Sequence, residues 1–109
     1  MSTPLATVRN FERLYSHGFR DHVTDSALLK IAMSQIARDE TVLRDLERDL
    51  AEFEQQYQMS SEVFYKRWKS GELGDDADFM DWNALYQMAC QVRERLTVLR
   101  DESVPYELG

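Results

Sequence analysis

The sequence predicts an all-α protein: a long antiparallel helical hairpin of coiled-coil character, with a short helix in its connector and a further helix at the N-terminus, dimerising into a helical bundle. Three observations predict it. Apolar residues recur in steps of three and four along two long segments, roughly 24–58 and 76–101. No glycine or proline interrupts either segment. Apolar content is 43% against 30% charged, a balance that fits neither a disordered chain nor a membrane-embedded one. At 109 residues the chain is one domain long, and a helical protein this small often shares its core with a second copy.

The first element, 1–23, is a helix and turn. Thr3 can cap free amides and Pro4 has the backbone geometry of a first helical position. Leu5, Val8, Phe11 and Leu14 or Tyr15 follow at helical spacing, and Gly18 reads as the stop. About 14 helical residues are marginal alone in water, so this stripe needs something to pack against. A short strand through 11–20 is the alternative.

The second element, 24–58, has the strongest periodicity. Leu29, Ala32, Ile36, Asp39, Leu43, Leu46, Leu50, Phe53 and Tyr57 form a seam with one polar member. Glu40 with Arg44, and Arg48 with Glu52, are four apart and suit exposed pairs. Thirty-three residues at about 1.5 Å each make a rod of about 50 Å whose seam must meet another helix. Asp39 either fixes register or marks a height at which the seam opens to solvent.

The matching seam is Trp82, Leu85, Ala89, Val92, Leu96 and Leu99 in 76–101, widened by Phe79, Tyr86 and Cys90. Two long helices joined by a compact connector lie antiparallel. In the connector, 60–70 is a short helix capped by Ser60, with Glu62 in its first turn and a Met59–Phe64 staple across the cap. Phe64 and Trp68 share a face one turn apart. The tail, 102–109, loses the rhythm, and Pro105 forbids its continuation as helix.

The acidic turn 71–75 and its flanks carry the most conspicuous residues. Gly71 closes the short helix, and Gly74 permits a second sharp turn. Asp75 or Asp76 caps the last helix, with Asp78 in its first turn. Leu73, Phe79, Trp68 and Trp82 form an apolar plug at the hairpin's end. The rival reading, a divalent cation on Asp75, Asp76 and Asp78, misses the alternate-position acids and distant glutamate of a calcium loop.

Function classes narrow by elimination. The 31–81 segment carries six basic and thirteen acidic residues, and the whole chain −7, opposing direct nucleic-acid binding. No apolar run approaches the roughly 20 residues that span a bilayer. Arg9 and Glu12 precede any apolar block, unlike a signal peptide, and the single Cys90 fits a cytoplasmic location. His17 and His22 lack the further ligands of a zinc site and read as caps or surface residues, as Ser60, Ser61 and Ser70 read as caps. No catalytic constellation is visible, so the chain reads as a non-enzyme without metal or cofactor.

The stretch 53–82, FEQQYQMSSEVFYKRWKSGELGDDADFMDW, resembles a group of small bacterial and archaeal proteins with a pattern like FExxYxMSSExFYxRFxxGELGDDxDFxEWxALY. The match continues through Ala84, Leu85 and Tyr86, and FERLYSHGFRDHVTDSALLK is similar to the front of longer members. Trp68 stands where phenylalanine is frequent and Asp81 where glutamate is. The resemblance implies the antitoxin-side partner of a small toxin gene pair: a non-catalytic protein that binds and neutralises a cognate toxin, a nuclease among the candidates. The motif residues read as fold-determining, and Leu5, Phe11, Leu14, Tyr15 and Phe19, outside the hairpin, are the expected partner contact or, equally, a cap on the protein's own dimer. A structural dimeric scaffold or adaptor is the other reading.

Overall fold

A computed structural model describes residues 3–101. They form four helices: α1 (Pro4–Ser16), α2 (His22–Tyr57), α3 (Ser61–Lys69) and α4 (Ala77–Arg100), with no strand among the described residues. The strand alternative for 11–20 is therefore overturned: α1 continues to Ser16. The expected tail at 102–109 lies outside the described residues. The chain divides into two compact units, one of residues 35–100 and one made of 1–34 with the C-terminal segment from Asp101.

Within 35–100 the hairpin is antiparallel. Tyr57 meets Asp78, Phe53 meets Trp82, Asp39 meets Arg95 and Glu40 meets Arg100, so numbers fall on α2 as they rise on α4. The core is Leu46, Leu50, Phe64, Trp82, Ala89, Val92 and Leu96, with Ile36, Leu43, Phe53, Tyr57 and Leu85 packed around it. Both predicted seams thus face each other over this span. Cys90 departs from the expectation: it is exposed. Short α3 presents Phe64 and Tyr65 to Phe79, Trp82 and Tyr86, and Cys90 lies a turn further along α4.

Capping follows the expected residues and adds one. Thr3 Oγ1 accepts from the Ala6 amide at 3.1 Å, and Ser60 Oγ from the Val63 amide at 3.2 Å. Asp21 accepts from the Thr24 amide at 2.9 Å, which starts α2 at His22, ahead of the predicted 24. Helices α1 and α3 end alike. The amides two and three residues past the helix bond back to Tyr15 and Leu14 in the first case, and to Trp68 and Arg67 in the second. Gly18 and Gly71 supply the left-handed residue this ending needs, at φ 93° and 84°. Helix α2 ends the same way, with Met59 N–H on Glu54 C=O at 3.3 Å, but here a side-chain-bearing residue, Gln58, takes φ 53°. Gly74 does not have positive φ, so its turn makes no demand that only glycine meets.

The predicted surface pairs are replaced by others. Glu40 reaches across to Arg100 at 3.2 Å, and Arg48 pairs with Asp45 at 3.3 Å. Arg44 donates to Thr41 Oγ1 at 3.2 Å. Exposed pairs differ too little in energy to enforce the four-residue spacing, and Arg48 also lies 3.8 Å from the adjacent Asp49.

Candidate partner-binding surface

The acidic turn that draws the eye in the sequence is structural. Asp76 is the cap of α4: its Oδ1 accepts from the Asp78 amide at 3.0 Å, and its carbonyl takes the Phe79 and Met80 amides. The Asp78 carboxylate accepts from the Tyr57 hydroxyl at 2.6 Å, tying the end of α2 to the start of α4. That bond and the nearby acids push the Tyr57 phenol up to about 12. Asp75 is exposed. Among the described residues no three His, Cys, Asp or Glu side chains gather closely enough to hold a metal ion.

Behind this turn, Trp82 is the point at which three helices meet. Its ring lies between Phe53 of α2, with centroids 5.5 Å apart, and Phe64 of α3, 3.9 Å away and nearly parallel. Its Nε1–H donates to Ser61 Oγ at 2.9 Å, and the Ser61 amide donates to the Glu54 carboxylate at 2.8 Å. Ser61 is thus the buried acceptor for the indole as well as the first residue of α3, and not the cap expected of it. The signal was available: a buried tryptophan N–H needs a partner. Trp68, Leu73 and Phe79 pack against this core as the predicted plug requires.

Asp39 resolves differently from an opening to solvent, since it is 2% exposed. Arg95 of α4 grips it with both ends of the guanidinium, Nε to Oδ2 at 2.7 Å and a terminal nitrogen to Oδ1 at 2.8 Å, while Gln35 adds a bond at 3.0 Å. The Arg95 bonds hold the Asp39 carboxyl below its usual range, against the opposing effect of burial. A two-point contact of this kind specifies which turn of α2 faces which turn of α4.

Two clefts of about 240 Å³ lie on the same unit. One is lined by Glu47, Leu50, Ala51, Glu54, Ser61, Glu62 and Arg93, the other by Glu40, Leu43, Arg44, Glu47, Leu96 and Arg100. Their charged linings fit a polar, acidic surface. In the first cleft the Ser61 hydroxyl accepts from the Trp82 indole.

The unit containing 1–34 is different in kind. None of its described residues is buried. On α1, Leu5, Val8, Phe11 and Leu14 are exposed, Leu5 and Val8 by 60% and 62%. On the first turns of α2, Val23, Leu28, Leu29, Ile31 and Met33 are exposed as well, Ile31 by 65%. Between Ser26 and Ser34 the sole charge is Lys30.

The five residues expected to contact a partner divide into two groups. Leu5, Phe11 and Leu14 form the open stripe. Tyr15 and Phe19 are half-buried and build the corner between α1 and α2. Their rings meet edge to face at 5.7 Å, the Tyr15 hydroxyl donates to Asp25, and the Arg20 guanidinium sits 5.4 Å from the Tyr15 ring centre. The Asp25 bond pushes the Tyr15 phenol up to about 12. His17 ends α1 and His22 begins α2, both exposed, as surface and capping residues should be. Periodicity placed Val8 on the α1 stripe without counting it among the expected partner contacts, and it did not single out Leu28, Ile31 and Met33, which fall off the heptad seam.

Among the described residues no helix is long and apolar enough to cross a membrane. Compared with protein-family models, curated proteins and solved structures, the chain matches none.

Proposed function

We propose that this chain is a non-catalytic, cytoplasmic protein-binding module, an antitoxin-like inhibitor that works as a homodimer and neutralises a cognate toxin. The observation that carries the reading is the open stripe of Leu5, Val8, Phe11 and Leu14 on a helix with no buried residue. A 13-residue helix is marginal in isolation, and apolar side chains uncovered along one face are what a partner orders and buries. The 35–100 unit adds charge: nine basic against fourteen acidic residues, or −5. Such a surface speeds encounter with a basic partner, and a nuclease, whose cleft must attract phosphates, is the toxin class it suits. The resemblance of 53–86 to antitoxin-side proteins supports the same reading.

The test is co-expression with the product of the neighbouring open reading frame. The inhibitor reading expects that product to be toxic alone, harmless with this chain, and to co-purify with it. Leu5→Ala with Phe11→Ala should weaken capture at least tenfold while leaving the circular dichroism unchanged; Tyr15 is left intact because it holds the α1–α2 corner. A harmless neighbour that never co-purifies ends the reading. It would leave the second one, a dimeric structural scaffold, which the exposed Leu29 and Ile31 of α2 favour.

A further inference from the structure

Helix α2 belongs to both units: residues 22–34 lie in one and 35–57 in the other. The two parts differ in support. From 35 onward α2 has α4 beside it, with Asp39 on Arg95 and Tyr57 on Asp78. Carried on in that register, Arg100 falls opposite 34–35, and there α4 ends. None of residues 22–34 is buried. Their local physics favours a helix only weakly. Val23, Thr24 and Ile31 are β-branched, and Ser26 and Ser34 compete with the backbone for hydrogen bonds. Asp25 and Lys30, the acidic and basic residues of the stretch, are five apart and miss the three- or four-residue spacing of a helix pair. The Tyr15–Asp25 bond that fastens α1 to it is exposed, and one such bond adds modestly to stability.

A helix opens from its unsupported end, and opening stops where tertiary bonds hold the next turn. Asp39 is the first buried residue met along α2. Arg95 holds it from α4 by two bonds, and Gln35 holds it from the preceding turn. Arg38 in turn donates to Gln35 Oε1 at 2.7 Å, so the bonds run along the helix as well as across the hairpin. The turn at 35–39 opens only by breaking all of them together.

We propose that Gln35, Asp39 and Arg95 form a latch dividing the chain into two tiers of stability: residues 4–34 open and re-close locally while 39–96 stays folded, and the latch is where the opening of α2 stops. The segment that carries the open stripe can then order itself on a partner without loosening the hairpin. The tiers rest on packing alone, and the gain of order on a toxin rests on the inhibitor reading.

Native-state hydrogen exchange on the full chain at 1 µM and pH 7, read by mass spectrometry, tests it. Protection of the amides of 8–16 and 26–34 should lie at least about a hundredfold below that of 46–57 and 86–96, as local opening lies below global unfolding. A smaller gap means one cooperative unit and overturns the proposal. Asp39→Ala with Arg95→Ala removes the ion pair without stranding either charge. It should lower protection of 36–43 at least tenfold relative to 46–57, whereas Glu40→Ala with Arg100→Ala, the exposed pair beside it, should do so less than threefold. Equal losses at 36–43 and 46–57, or a larger shift from the exposed pair, overturn the latch. If the alanine pair does not fold, Gln35→Ala must still lower 36–43 at least threefold relative to 46–57. With the neighbouring frame's product bound, higher protection at 4–34 supports ordering on the partner, and unchanged protection overturns that consequence. No complex at all ends the inhibitor reading, while the tiers are judged on the chain alone.

Discussion

Replacing Trp82 by alanine removes the residue on which α2, α3 and α4 converge. The side chain is fully buried. Taking roughly 150–250 Å² for a tryptophan and about 25 cal/mol/Å², the transfer contribution is about 4–6 kcal/mol, of which alanine keeps a small part. Two parallel stacks, on Phe53 and Phe64, are lost as well, each worth about 0.5–1.5 kcal/mol. Partial collapse of half-buried Phe53 and Tyr57 into the space offsets some of this, and tryptophan-to-alanine changes in cores cost about 3–5 kcal/mol. About 4 kcal/mol is a large share of the roughly 5–15 kcal/mol that holds a domain together, equivalent to about 15–30 °C in melting temperature. Urea unfolding followed by circular dichroism at 222 nm measures it. Trp82→Phe keeps a stacking ring but leaves Ser61 Oγ without its donor, and should cost about 1–2 kcal/mol. An alanine variant within about 1 kcal/mol of the parent would refute the three-helix junction, because a residue so enclosed cannot be removed at so small a cost.

Three further predictions rest on local geometry. Gln58→Gly should stabilise the hairpin by about 0.5–1 kcal/mol, since a side chain at φ 53° costs roughly 1–2 kcal/mol and glycine's extra chain entropy returns only part; a loss in the same urea assay would count against a left-handed Gln58. Arg95→Met should destabilise at pH 7 by stranding Asp39, and Asp39→Leu with Arg95→Met should recover most of the loss. The pH dependence has a definite sign. Asp39 has a lowered folded pKa, so in the parent its contribution is complete above its unfolded value and lost as pH falls through the folded one. In Arg95→Met burial is opposed only by the Gln35 bond and the Arg38 charge, and the deficit should shrink toward pH 4; a deficit independent of pH would contradict this. Tyr15 and Tyr57, both pushed to about 12, should still be protonated at pH 11 in a 295 nm titration. Their bonds to Asp25 and Asp78 contribute stability that is complete below pH 10 and lost as pH rises toward 12. Asp25→Asn and Asp78→Asn should each return one tyrosine to the ordinary range, and a variant without such a change would remove that bond.

Helix identity and order were legible in the sequence because they depend on short-range physics. A period of three and four, Thr3 and Ser60 at caps, and Gly18 and Gly71 at left-handed stops each act over one or two turns of chain. The pairing of Phe53, Leu50 and Leu46 with Trp82, Ala89, Val92 and Leu96 followed from matched seams. What the tertiary structure alone decided is where long side chains go once two helices lie together. Asp39 became a buried anchor because Arg95 happened to come within reach, 56 residues later. Ser61 turned from expected cap to indole acceptor, Glu40 crossed to Arg100, and Cys90 fell outside the cover that α3 gives to Tyr86. The open stripe on α1 is of the same kind. Periodicity shows that a face is apolar, and only the packed chain shows that none of its described residues buries it, because burial is a property of neighbours in space and not of neighbours in sequence.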